Sequence, residues 1–467
     1  LPIWKQEMKK RMYKIMALAM TAAMVVPMAA QTTAFAADDK EITYWNIAVE
    51  SPDKDIVTAA VDKFNKETKS GYTVNQVAIQ NDTYKEKLVI AMSSGECPDM
   101  YSSWSGGPMY EYIDSGFAQP IDDLLDQSDV KDKLLDAAIE QGSYNGHVYA
   151  IPYLNVSLAG IFYNKDMFKQ YGLEEPKTLA DLENICATLK ENGITPFALA
   201  NASKWTGSMY FMSLAARYGG LEPFQNAVAG TGKFTDDCFI KAGDKIQEWV
   251  KNGYFPDGVN SLSEDDGQAK QLMYQETAGM LLCGSWYAGT FQTDSEEFYQ
   301  KIGWFPFPAI DDSDADPTIQ IGTVGDQFIS FNCEGDKLAA AFECATDHLS
   351  DEVADITYSN NKIVPVKDAG DHIKDPVVKE IFDAAQEASS IQLWYDQYLP
   401  TSVATAHLDG LQEVFGLTKT PKEAQEEMQK AMDEYLSTKS DSGAADDTAE
   451  EATDDAATDD AAADDAE

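Results

Sequence analysis

The stretch GHVYAIPYLNVSLAGIFYNKDMFKQYGLEEPKTLADLENICATLKENGITPFALA, residues 146–200, decides the fold. A short apolar strand is expected over Tyr149–Tyr153, then a polar break holding Asn155, then a second strand over Leu158–Tyr163. Asn164-Lys165-Asp166 turns the chain into an amphipathic helix, and Pro176-Lys177-Thr178 opens another.

Upstream, the same alternation runs at a shorter pitch. Thr43–Ile47 reads as a strand, and Ser51-Pro52-Asp53 as a helix start with Ile56, Ala59, Ala60 and Phe64 at helical spacing. Tyr72–Ile79 alternates as a second strand, Tyr84–Ser93 returns as helix, and Gly95–Tyr101 turns into a third strand. Strand-helix-strand at this pitch means parallel units. In such sheets ligands bind beyond the carboxyl ends of the strands. That rule puts Trp45, Asn46, residues 80–82 and residues 102–104 on a binding edge.

The chain has 467 residues, room for two domains with sizeable cores. Its formal net charge is -44, which argues against nucleic acid or an anionic membrane surface as partner. Part of that charge is local, because residues 441–467 carry many acids and no base. This Ala/Asp/Glu/Thr tail, residues 440–467, lacks the apolar area to order itself and is expected to be disordered. At the other end Lys9, Lys10, Arg11 and Lys14 precede an apolar run and an Ala34-Phe35-Ala36 cleavage signal. Residues 1–36 therefore read as an export signal, with Met8 as the start. No Cys stands beside the cleavage site to accept a lipid. A secreted, cell-surface-associated or periplasmic location is expected. The six Cys contain no C-x-x-C, and few or no disulfides are expected in a body this large.

Six motifs follow one another in order: Ser94–Tyr101 (SGECPDMY), Tyr112–Leu125, Gly193–Pro196, Gly284-Ser285-Trp286, Gly303–Pro308 (GWFPFP) and Lys362–Val366 (KIVPV). With residues 146–200 they resemble the extracellular solute-binding proteins of ATP-driven sugar importers. The resemblance spans residues 37 to about 436. It implies an α/β fold of two periplasmic-binding-protein-like lobes, with a hinge and an interlobe ligand cleft. The first lobe would take residues 38–155 and 324–365, and the second residues 158–322 and 370–436. It also implies a monomer that delivers a di- or oligosaccharide to the transmembrane subunits of a permease.

Sugar recognition needs flat rings for the C–H faces of pyranoses and polar groups for the hydroxyls, since a buried unpaired hydroxyl costs roughly 1–3 kcal/mol. Trp45 and Asn46 end the first strand, though a core role for Trp45 is equally open. Glu50 lies in the next loop, and Asn155, in the polar break between the two strands, is a further ligand-binding candidate. Asp82 suits hydroxyls or a helix N-terminus. Trp104, in SSWSGGP, and Trp205, after ANASK, sit in loops. Trp286 matches the family's cleft tryptophan. Asp326 lies at the return crossing, and Trp394 and Asp396 form the densest aromatic-polar cluster. With Trp205, that pair resembles binders of raffinose-type α-galactosides. Trp249 and Trp304 are assigned to packing. Arg217 is the only Arg outside the leader, so a neutral sugar fits better than an anion. The four His lack metal-ligand spacing, and neither a G-x-S-x-G elbow nor a complete phosphate loop is present. No metal or cofactor is expected, and no enzyme activity. An exported glycoside hydrolase and a surface or adhesion protein remain the alternative readings.

Overall fold

The computed structural model describes residues 40–450, with side chains through Lys439. The export signal and residues 451–467 of the acidic tail lie outside the described residues. The chain begins β1 (Glu41–Asn46), α1 (Asp53–Glu67), β2 (Thr73–Ala78), α2 (Asn81–Ser94), β3 (Met100–Ser103) and α3 (Gly107–Asp114). Ile56, Val57, Ala60, Val61 and Phe64 form the buried stripe of α1, at the 3.6-residue period that lets a helix cover a sheet. β1 pairs in parallel with both β2 and β3, as the βαβ spacing requires.

β4 (Ala150–Tyr153) ends the first lobe's run and β5 (Ser157–Asn164) opens the second. All eight residues of β5 are buried. Such a strand, covered on both faces, reads as a continuous apolar run. β6 (Thr195–Ala198) leads into α4 (Trp205–Gly219). β7 (Ala278–Gly284), β8 (Ile302–Pro306) and β9 (Gln320–Thr323) complete most of the second sheet. The chain then returns as β10 (Gln327–Phe331) and closes with β11 (Ile391–Gln392), α5 (Thr401–Phe415) and α6 (Pro421–Glu450). The first sheet has the order β2-β1-β3-β10-β4 and the second β11-β9-β5-β7-β6, with β8 also on β5. This is the two-lobe α/β architecture. The backbone of α6 runs ten residues past Ser440, where Ala, the strongest helix former, is frequent.

Trp249 is fully buried and its indole N–H donates to Glu183 Oε1 at 2.8 Å. Trp304 is buried on β8, and an added Cβ at Gly160 would stand 2.2 Å from its ring. Gly160 therefore makes room for an indole across the strand pair. The six Cys are free thiols.

Three backbone crossings join the lobes, and one side chain ties them. The Asn155 N–H donates to Tyr153 O, and Asn155 is fully buried. Its Oδ1 accepts from Ile363 N–H at 2.7 Å, on the third crossing. Its carbonyl accepts from Asp326 N–H at 2.6 Å, on the second. Its Nδ2 reaches Ser157 Oγ at 3.1 Å and Ser285 Oγ at 3.3 Å. An amide fits because it offers an acceptor and two donors on one short stem. Asn155→Ala leaves the Ile363 N–H without its acceptor in a dry site. The expected loss is about 2 kcal/mol of unfolding free energy, measured by urea denaturation. A change within experimental error contradicts the role given to this side chain.

Candidate functional site

Each loop that leaves the carboxyl end of a parallel strand delivers a side chain to one cavity of about 190 Å³. Ile47 follows β1, Asn81 and Lys85 follow β2, and Trp104 follows β3. From the second lobe Trp205 follows β6, Trp286 follows β7 and Trp394 follows β11. The same topological rule thus operates in both sheets. Asp326 and Gln327 enter from the second crossing, and Asp53 from the start of α1.

The second lobe builds an aromatic wall. The ring centroids of Trp205 and Trp286 stand 6.0 Å apart, and those of Trp286 and Trp394 stand 6.1 Å apart. Gly284 lets Trp286 fold back over its strand, because a Cβ there would lie 1.9 Å from the indole. Lys204 holds φ at +63°, a left-handed value uncommon outside Gly, and delivers Trp205 as the first residue of α4. The Trp205 indole nitrogen is buried with no hydrogen-bond partner, while the residue lines the cavity. Met209 and Met212 continue the wall along α4.

Trp104 faces this wall from the first lobe. Its loop comes up against residues 397–399 of the second lobe, and only Gly fits there. An added Cβ at Gly106 would be 2.3 Å from Gln397 O, and one at Gly107 would be 2.2 Å from Leu399 O. Lys85 Nζ lies 4.9 Å from the Trp104 ring centroid and 3.5 Å from Asp396 Oδ2. That lysine therefore joins an aromatic face to an acid across the cleft. Thr401, at the start of α5, adds a second tie, its N–H and hydroxyl donating to the Glu111 carboxylate at 3.0 and 2.7 Å.

Four carboxyls line the cavity: Asp53, Glu264, Asp326 and Asp396. Asp53 is paired with Lys362, which is buried, and Asp396 with Lys85. Glu264 accepts from the Tyr287 hydroxyl. Burial pushes the Glu264 carboxyl up to about 7, and Tyr287 and Lys270 oppose that rise. Burial also raises Asp326 to about 7, against the opposing field of Lys362.

Of the residues read from sequence, Trp104, Trp205, Trp286, Asp326, Trp394 and Asp396 come together in this lining. The others stand outside it. Trp45 is half-buried against the cluster of Tyr84, Leu88 and Tyr101. Asn46 is buried and its Oδ1 accepts from Ala48 N–H at 3.0 Å, shaping the turn after β1. Glu50 is exposed and lies 3.5 Å from Lys270. Asp82 sits in the first turn of α2, with its N–H donating to Asp265 Oδ2 at 3.0 Å. Asn155 is the hinge tie described above. Sequence reasoning missed Asp53, Lys85, Glu264 and Gln327. Asp53 was legible only as a helix start, and Glu264 lies in an acid-rich loop with nothing to mark it. Gln327, next to Asp326, accepts from the Tyr153 hydroxyl at 2.8 Å.

The model of the bacterial extracellular solute-binding protein family matches residues 48–346. An uncharacterized ABC transporter extracellular-binding protein of Pyrococcus horikoshii is 31% identical over 228 residues, 48% of this chain and 50% of that protein. A multiple sugar-binding protein of Streptococcus mutans is 31% identical over 178 residues, 35% of this chain and 39% of that one. The chain spans about half the length, or less, of these curated relatives. A solved structure described under xylan utilization by Caldanaerobius polysaccharolyticus is 28% identical, with a TM-score of 0.77 over 84% of this chain and 99% of that one. A chitin oligosaccharide binding protein of 23% identity superposes with the same TM-score, 0.77, over 84% of this chain and 98% of that one.

Gly107→Ala puts a methyl group into the Leu399 carbonyl and forces the two faces of the cleft apart. The expected result is a red shift of tryptophan emission, as Trp104 and Trp394 gain water, with unchanged far-UV circular dichroism. Emission identical to the parent protein contradicts the close approach.

Proposed function

The chain belongs to the bacterial extracellular solute-binding proteins, and from that membership we propose that it is the capture component of a sugar importer. It binds a neutral di- or oligosaccharide in the interlobe cleft and hands it to the transmembrane subunits of a permease. The family binds solutes and does not transform them, so the cleft carboxyls serve as acceptors and not as an acid–base pair.

The observation that carries this reading is the wall of Trp205, Trp286 and Trp394 opposite Trp104, with carboxyls between them. Indole faces are large, flat and apolar, and cover the C–H faces of a pyranose. Carboxylates accept from the equatorial hydroxyls through the stronger, charge-assisted hydrogen bonds. Among the described residues no arginine lines the cleft. Arg217 is buried, and its guanidinium donates to Phe307 O at 2.8 Å and Ile319 O at 2.7 Å. It is committed to two main-chain carbonyls of the second lobe, away from the cleft.

The arrangement of Trp205 with Trp394 and Asp396 makes raffinose-type α-galactosides the first ligands to test. Xylo-oligosaccharides come next, on the likeness to the structure described under xylan utilization.

Titration calorimetry of the full chain against raffinose, stachyose, melibiose, maltose, xylo-, manno- and chito-oligosaccharides tests the reading. The expected result is a Kd of about 1 μM, near −8.2 kcal/mol, or tighter for at least one saccharide. Chromatography of the same samples is expected to show the sugar unchanged. No heat with any saccharide in folded protein, or a hydrolysed product, contradicts the assignment.

A further inference from the structure

Two of the four cleft carboxyls have a cation at ion-pair distance and two do not. Asp53 has Lys362 and Asp396 has Lys85. Glu264 and Asp326 have none among the described residues. Around Glu264 stand the Tyr287 hydroxyl, which donates to it, then Lys270, Asp265 and Asp82. Lys270 is already engaged by Asp294 at 3.0 Å and Glu50 at 3.5 Å. Cys283 and Tyr210, also near Glu264, are buried neutral groups. Around Asp326 stand Lys362, which is paired with Asp53, Asp53 itself and the Ser157 hydroxyl. Tyr153 and Cys283 face it as neutral groups. Both carboxyls are half-buried in the cleft wall with no cation at ion-pair distance, which disfavours the charged form, so each group holds a proton part of the time when no ligand is present.

We propose that Glu264 acts with Asp326 as a charged acceptor for the hydroxyls of the saccharide, and that capture of the sugar drives a proton from each carboxyl into solvent. The inference rests on the saccharide reading above and adds a binding residue and a regulating variable to that site. The donors on the cleft walls set the direction. The Lys85 ammonium, which has donors beyond the one it gives to Asp396, and the amide of Gln397 line the cavity where the sugar's oxygens would lie. The hydroxyl protons of the same sugar then need acceptors, and an ionised carboxylate is the stronger one. Hydroxyls that donate to the ionised form lower its pKa, so the proton leaves as the sugar binds.

The sign follows. Without bound sugar, partial burial raises both carboxyls, to about 7 for each. A sugar that selects the ionised form binds more tightly as pH rises through that range. Between pH 6 and pH 8 the gain is about tenfold for each carboxyl.

The test is calorimetry of the full chain at pH 6, 7 and 8, in two buffers of different ionisation enthalpy, with the tightest binder among stachyose, xylotetraose and chitotetraose. The expected result is a steep rise in affinity with pH and net proton release at pH 7. Glu264→Gln and Asp326→Asn are each expected to remove about one tenfold step of that rise. If a variant fails to fold, the buffer-pair measurement on the parent protein decides alone. Heat of binding with a flat or falling pH profile, or with proton uptake, overturns the proton coupling and leaves the saccharide reading standing. No heat with any of the three sugars in folded protein overturns both.

Discussion

The fold depends on a single buried amide. Asn155 touches all three crossings between the lobes: it lies on the first, holds Ile363 of the third with its side chain, and receives Asp326 of the second at its carbonyl. Each bond is short and dry, and each satisfies a backbone group that water cannot reach. The crossings are thereby fixed to one another, while the two sheets they serve keep separate hydrogen-bond ladders. A hinge of this kind concentrates motion in a few residues. It also places Asp326 at the floor of the cleft, where the hinge backbone and the ligand space meet.

Shape sets the contact between the lobes as much as charge does. The Gly106–Gly107 segment lies against residues 397–399, and no side chain fits between the two backbones. Trp104 and the opposing tryptophans are held at that distance with a slot between them. One ion pair and one backbone hydrogen bond follow the same geometry. Lys85 reaches Asp396, and the Asp82 N–H reaches Asp265 at 3.0 Å, each across the cleft. Partly exposed pairs of this kind contribute little by themselves, about 0–1 kcal/mol. They orient the lobes, and the ligand's own contacts supply the affinity.

Much of the architecture was legible because it follows local rules. The strand on each side of Asn155 was readable from its apolar run, and parallel β1, β2 and β3 from their spacing with helices. The loop tryptophans stood out for the same reason. Each follows a strand closely, and Trp104, Trp205, Trp286 and Trp394 all line the cavity, Trp394 while also buried in the core. What sequence could not show is set by tertiary pairing. Nothing local tells Glu264 from Asp265, its neighbour in the same acidic loop, yet only Glu264 meets the Tyr287 hydroxyl. Asn155 reads as a polar cleft residue until its partners, more than a hundred residues away, are seen. Glu50 sits in a loop and Asp82 in the first turn of α2, both at the binding edge, but Glu50 lies beside Lys270 and the Asp82 N–H donates to Asp265, both of the other lobe.

The central claim is that two lobes tied at Asn155 close over a saccharide. Small-angle X-ray scattering of the full chain, with and without a saturating saccharide identified by calorimetry, tests it most directly. The account predicts a smaller radius of gyration and a shorter maximum dimension in the bound state. Superimposable curves at full saturation would contradict it.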